Sequence, residues 1–264
     1  MYKNNIKNRD RRLIDEALAS EPIKNTFRLG LEFIKLNKTF TLTAMVIFIV
    51  LNIFGMIPVA SFIFMVLLGI FALVIQIHIG KIFYESKDIK NYITEIKESS
   101  LDKTLTEHIA TAFGAYLGWF VLALVLMFFF SLITSSLGIV NEFNGLVILG
   151  IPIVIVALFI SYIQPLVQAN VIMSNGVQEG FKAVFTLFST RLWHLAFQSS
   201  YFKYIAGFGL ISILLLFLSS FIMGLLTNLI GIPIIANVLM LILMYIFMII
   251  MAVGSMMAKR IVEA

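Results

Sequence analysis

The stretch Val59-Ala-Ser-Phe-Ile-Phe-Met-Val-Leu-Leu-Gly-Ile-Phe-Ala-Leu-Val-Ile-Gln-Ile-His-Ile-Gly-Lys-Ile-Phe-Tyr84 decides the fold. It holds no Asp, Glu or Arg, and its single Lys, Lys81, comes in the last turn. A bilayer core about 30 Å thick is crossed by roughly 20 apolar residues of helix, so this run is long enough to span. Working outward, five more runs of that kind appear, at about 40–57, 110–136, 146–173, 203–228 and 232–257. A chain of 264 residues that is 61% hydrophobic and 12% charged, with a mean hydropathy of +1.03, has too much apolar surface for a water-soluble core. Its solvent is lipid. The fold class read from the sequence is an all-α membrane protein. A polar N-terminal segment over 1–39 precedes a transmembrane domain over 40–257, and 258–264 form a short tail.

Charge sets the topology. All 19 Lys and Arg residues fall outside the middles of the spans, in four groups. Lys3, Lys7, Arg9, Arg11, Arg12, Lys24, Arg28, Lys35 and Lys38 precede the first span, and Lys81, Lys87, Lys90, Lys97 and Lys103 lie between the second and third. Lys182, Arg191 and Lys203 follow the fourth, and Lys259 and Arg260 close the sixth. With six spans these groups share one face, whereas five or seven would scatter them. The positive-inside rule makes that face cytoplasmic, with both termini on it. The opposite turns carry one charge, Glu142. Beside those turns stand Gly55-Met-Ile-Pro58, Gly150-Ile-Pro152 and Gly231-Ile-Pro233, each placing a proline near the first turn of an inward-running helix, where its missing N–H costs nothing. The spans therefore read as three transmembrane hairpins.

Two amphipathic segments stand before outward-running spans. In the first, Ile23, Phe27, Leu31 and Ile34 form a stripe facing away from Lys24, Arg28, Lys35 and Lys38. In the second, about 176–195, the stripe is Phe181, Val184, Phe185, Phe188 and Leu192, with Lys182 and Arg191 off it and Trp193 beside it. Such helices bury an apolar face at the headgroup boundary while their cations meet anionic lipid, or else pack on the bundle; amphipathicity alone does not separate the two. A shorter amphipathic helix is marked by Ile89, Ile93 and Ile96, and Ser99 with Asp102 resembles a capping box for the third span.

The functional groups are sparse. No Asp, Glu, Lys or Arg sits in the middle of a span, which weighs against ion-coupled transport and voltage sensing. With no Cys there are no disulfides, thiolate metal sites or redox relays. The first 38 residues lack the apolar run of a cleaved signal peptide. No Ser/His/Asp set, paired carboxylates or phosphate-binding Gly loop can be assembled, and no two His share a helix face at ligand spacing, so neither an enzyme nor a metal or cofactor site is expected. The net charge of +5 is read as a topology signal, with no nucleic acid as partner.

What remains is a candidate polar intramembrane site. The fourth span carries Ser161-Tyr-Ile-Gln164-Pro165-Leu-Val-Gln168-Ala-Asn170, in which Pro165 frees a carbonyl near Ser161 and Gln164 and Gln168 stack at i and i+4. Gln76 and His78 lie near the cytoplasmic end of the second span. These groups either line a permeation path or join helices through hydrogen bonds of about 0.6 to 2 kcal/mol each. Gly114 and Gly118 make a small-xxx-small packing face on the third span, within the chain or between copies.

The layout resembles a group of bacterial inner-membrane proteins, the YciC-like proteins and the membrane domain attached to some glycerophosphodiester phosphodiesterases. The residues carrying the resemblance are Phe27 to Asn37 with its basic exit, and Gln164-Pro165 through Asn170 leading to Val177-Gln-Glu-Gly-Phe-Lys-Ala-Val-Phe. It covers most of the chain in layout, and the phosphodiesterase catalytic domain is absent. The sequence thus leads us to expect a non-enzymatic, multi-pass bacterial inner-membrane protein serving membrane organisation or assembly of envelope components. Its expected partners are anionic lipids and copies of itself or other membrane proteins. The alternative is an oligomeric, uncoupled permease for a small polar or anionic solute.

Overall fold

The computed structural model describes residues 12–136, 142–230 and 233–264, and all regular structure among them is helical. Lys3, Lys7, Arg9, Arg11, Gly231, Ile232 and the side chain of Glu142 lie outside the described residues. In chain order the helices are α1 Leu13–Ala19, α2 Pro22–Leu36, α3 Lys38–Gly55, α4 Ser61–Glu85, α5 Ile89–Glu98 and α6 Leu101–Ser136. There follow α7 Glu142–Ile172, α8 Gly176–Phe185, a 3-10 turn Thr186–Phe188, α9 Thr190–Ala196, α10 Ser199–Ile230 and α11 Pro233–Glu263. Six of them, α3, α4, α6, α7, α10 and α11, are long and apolar enough to cross a membrane.

Local chemistry explains several boundaries. Pro22 starts α2, and Pro233 is the first residue of α11. The Asn37 side chain accepts from the Phe40 N–H at 3.0 Å and caps α3, while Asp88 caps α5 by accepting from the Asn91 N–H at 2.8 Å. Other boundaries differ from the sequence reading. Pro58 sits in the turn before α4 rather than in its first turn, and Pro152 lies well inside α7. Ser99 does not cap α6. It closes α5, and its hydroxyl donates to the Glu95 carbonyl at 2.8 Å. The segment 176–195 is not one helix either, because Ser189 is extended and α9 folds back so that the Trp193 indole N–H donates to the Leu187 carbonyl at 2.8 Å.

The core is displaced toward one end of the bundle. Buried residues run from Phe40 to Phe48 on α3, Phe71 to Phe83 on α4, Thr104 to Leu122 on α6, Ile163 to Ile172 on α7, Tyr201 to Ser212 on α10 and Leu241 to Ile261 on α11. In every span this is the part nearest the Lys and Arg residues. The chain ends that are described meet there too: the Asp15 carboxylate accepts from the Arg260 guanidinium at 2.7 Å, and the Leu13 N–H donates to the Ser86 carbonyl at 3.2 Å. Half of the α11 span is buried but only 11% of α6 and of α10, which makes α11 the central helix. It touches α1, α2, α3, α4, α7 and α10, and α4 beside it touches α3, α6 and α7. Toward the opposite end large apolar side chains such as Phe62, Phe128, Phe129, Leu158, Phe217 and Phe221 are exposed. In a bilayer such surface is in its solvent, since helix association there rests on packing and polar bonds rather than on hydrophobic burial.

Candidate functional site

The polar side chains within the spans are placed by separate bonds to different neighbours. Gln168 is 2% exposed and its amide donates to the Gln76 carbonyl oxygen at 2.7 Å, joining α7 to α4. Gln164, one turn earlier, is only half-buried, so the two amides do not form a common buried lining. Asn170 donates to the Thr186 hydroxyl at 3.1 Å and accepts from the Lys259 ammonium at 3.2 Å, tying α7 to the 3-10 turn and to α11. Pro165 is buried inside α7. Beside the carbonyl it deprives of a helix partner, the Tyr201 hydroxyl donates to the Tyr162 carbonyl at 2.6 Å and the Tyr162 hydroxyl donates to that of Ala196.

His78 faces a different neighbourhood from Gln76. Its ring stacks on Phe40 with centroids 5.7 Å apart and lies 5.5 Å from that of His108, and its Nε2 is 2.9 Å from the Ser99 hydroxyl. Both imidazoles are buried at the floor of a cleft of about 430 Å³ between the end of α4, α5 and the start of α6. Its rim carries Glu85, Glu95, Glu98 and Glu107 against Lys81 and Lys103, and Lys81 donates to the Asn175 side chain at 2.9 Å. This cleft is a polar concavity at the basic end. His108 and Ser99 as partners of His78 were not read from the sequence. A signal exists: Thr104, His108, Thr111, Ala115 and Gly118 recur at 4, 3, 4 and 3 along one face of α6, and all five are buried. Among the described residues no group of three or more His, Asp and Glu is arranged to hold a metal ion.

Compared with protein-family models, curated proteins and solved structures, the chain shows no match. The site therefore stands on its own geometry.

That geometry includes a tight helix crossing. A Cβ on Gly114 would overlap the Val177 carbonyl, a Cβ on Gly180 would overlap the Thr111 carbonyl, and one on Gly118 would sit 3.0 Å from the Phe181 carbonyl oxygen. The backbones of α6 and α8 thus lie against each other, and the Thr111 hydroxyl accepts from the Gly176 N–H at 2.8 Å. Gly176 itself has φ +78°, a conformation glycine adopts without a side-chain penalty.

The six cations proposed for lipid contact, Lys24, Arg28, Lys35, Lys38, Lys182 and Arg191, are all exposed, with Lys24 held 2.6 Å from Glu21. Trp193 is half-buried against Phe159, ring centroids 5.9 Å apart. On α2, however, the fully packed face is Thr26, Leu29, Gly30 and Phe33, beside the expected stripe, and Leu31 is 37% exposed. The reason is specific. Thr26 shares a hydrogen bond of 2.9 Å with Tyr204, and Gly30 lets α2 approach Ile250 of α11. On α8 the packed residues are Gly180, Ala183 and Val184, while Phe188 is 63% exposed. Tyr92 of α5 completes the cap over α2: its hydroxyl donates to the Leu29 carbonyl at 3.0 Å, and burial together with the Glu32 carboxylate pushes its ionisation well above the ordinary range.

Proposed function

We propose that the chain is a non-enzymatic, multi-pass protein of a bacterial inner membrane that serves membrane organisation or the assembly of other envelope components. Its spans form three hairpins, both termini and the basic end lie in the cytoplasm, and α2 and the α8–α9 pair rest at the inner headgroup layer with their cations toward anionic lipid. The observation that carries the reading is the division of the molecule. A bonded core occupies the basic half, and large apolar side chains of α6 and α10 project uncovered from the other. The first is a rigid base; the second is surface for lipid, for another copy or for other membrane proteins. The layout resemblance to YciC-like proteins fits this reading and adds no activity to it.

A permease for a small polar or anionic solute is the competing function, and the Gln76–Gln168 bond weighs against it because those amides are engaged with each other. Flux into proteoliposomes, paired with photo-crosslinking from Phe128 and Phe217 in cells, tests the choice. The expected result is no saturable flux and discrete adducts with membrane proteins. Saturable flux altered by Gln168→Ala would overturn the proposal in favour of the permease.

A further inference from the structure

At the basic end, the last turns of α7 and α11 and the joint between α8 and α9 enclose a second groove of about 300 Å³. Its wall is apolar, formed by Leu166, Leu192 and Val262, and its rim carries Lys259 and Arg191. Lys259 is half-buried, and a cation in such a place ordinarily takes an anionic partner. Among the described residues no carboxylate lies within 4.0 Å of Lys259 or of Arg191. Glu263 reaches the same rim, 3.8 Å from Arg260, which is held more closely by Asp15 at 2.7 Å, so the rim carries two cations against one carboxylate. Asn170 accepts one N–H of the Lys259 ammonium at 3.2 Å and is itself fixed by Thr186, so the ammonium is oriented with donors to spare. Ser189 lines the same groove.

Two cations without a direct ion pair, one a point charge and one a planar fork, outnumber the single carboxylate of the rim; beside a serine and above an apolar wall they are the complement of a phosphate with a hydrocarbon chain attached. The His78–His108 cleft is the opposite case, since four Glu against two Lys repel such an anion. We propose that the Lys259–Arg191 groove binds the phosphate of an anionic phospholipid. Lys259 and Arg191 meet the phosphate oxygens, and Leu166, Leu192 and Val262 receive the first methylenes of an acyl chain. The site deepens the functional reading above and rests on it in one respect, that the basic end lies at a membrane surface.

The full chain in mild detergent is titrated with phosphatidylglycerol, phosphatidylcholine or inorganic phosphate, and binding is followed by native mass spectrometry and by the shift in Tm. Phosphatidylglycerol is expected to bind in preference to phosphatidylcholine. Lys259→Gln or Arg191→Gln weakens it roughly fivefold each, and the pair together about thirtyfold. Lys87→Gln, exposed on another face, leaves it unchanged. Arg191 is exposed, so its substitution keeps the test decisive even where Lys259→Gln proves unstable. Equal binding of the two lipids, or parental binding by the double variant, overturns the site. Inorganic phosphate that binds as tightly as the lipid, and is lost in the same variants, overturns the lipid assignment in favour of a soluble phosphate. Detergent micelles have no sides, so this outcome is independent of whether the orientation of the chain is right.

Discussion

Replacing Gly114 or Gly180 by Ala tests how far α8 is built into the bundle. In the middle of a helix Ala is favoured over Gly by about 0.8 to 1 kcal/mol, so a glycine without a tertiary duty gains stability from the change. Gly209 on α10 is such a position, with no atom within 4 Å of an added Cβ. At Gly114 the added carbon would overlap the Val177 carbonyl, and at Gly180 the Thr111 carbonyl. Both are backbone atoms that cannot rotate away, so α8 must move off α6. Overpacking of this kind costs typically about 1 to 3 kcal/mol, which exceeds the propensity gain. Separating the helices also strains the Thr111–Gly176 hydrogen bond of 2.8 Å. One separation relieves both clashes, so the double variant should cost less than the sum of the singles. Unfolding of the purified protein in mild detergent, followed by circular dichroism, measures all four changes. Gly114→Ala and Gly180→Ala should lower stability while Gly209→Ala raises it, and Gly114→Leu and Gly118→Leu should be worse still. If Gly114→Ala and Gly180→Ala are as stable as Gly209→Ala, the close crossing is not how the molecule is held.

Gln168→Ala should cost about 0.6 to 2 kcal/mol of detergent stability, because it removes the bond to Gln76 and leaves that amide in an apolar setting; Cys at 168 should resist small polar reagents, and rapid labelling there would show a water path instead. At the basic end, burial raises the Asp15 ionisation, but the hydrogen bonds from Arg260 and the Arg12 N–H and the charges of both guanidinium groups outweigh it and hold the carboxyl below the usual range. Its contribution is therefore full above about pH 4 and is lost as pH falls through the lowered folded value. Asp15→Asn should remove that part of the acid-side loss of stability, and an unchanged acid limb of the stability curve would show that the ion pair with Arg260 contributes nothing.

The spans were legible because length and hydropathy decide them, and one exclusion, the absence of charge from mid-span, follows from the same physics. The partners were not legible. Gly114 and Gly118 mark a face that admits close approach, yet nothing in their spacing says that α8 rather than another span fills it. Gln76 and Gln168 stand out as polar residues in apolar helices, but their pairing depends on how α4 and α7 are rotated. His108 lies in the polar start of a long helix, outside the apolar spans, and its approach to His78 is not legible because it arises only when α5 folds the chain back. The stripes on α2 and α8 were read from the largest side chains, whereas the packed faces are chosen by small residues, Gly30, Gly180 and Ala183, that let backbones meet.

In the proposed topology six spans place every basic group on the cytoplasmic side. The chain has no Cys, so single cysteines can be introduced without background. Lys97 is exposed on α5 at the basic end, and Val59 is 96% exposed in the turn between α3 and α4 at the other. With a membrane-impermeant maleimide on intact cells, Val59→Cys should label at once and Lys97→Cys only after the membrane is opened. Labelling of Lys97→Cys in intact cells would contradict the account.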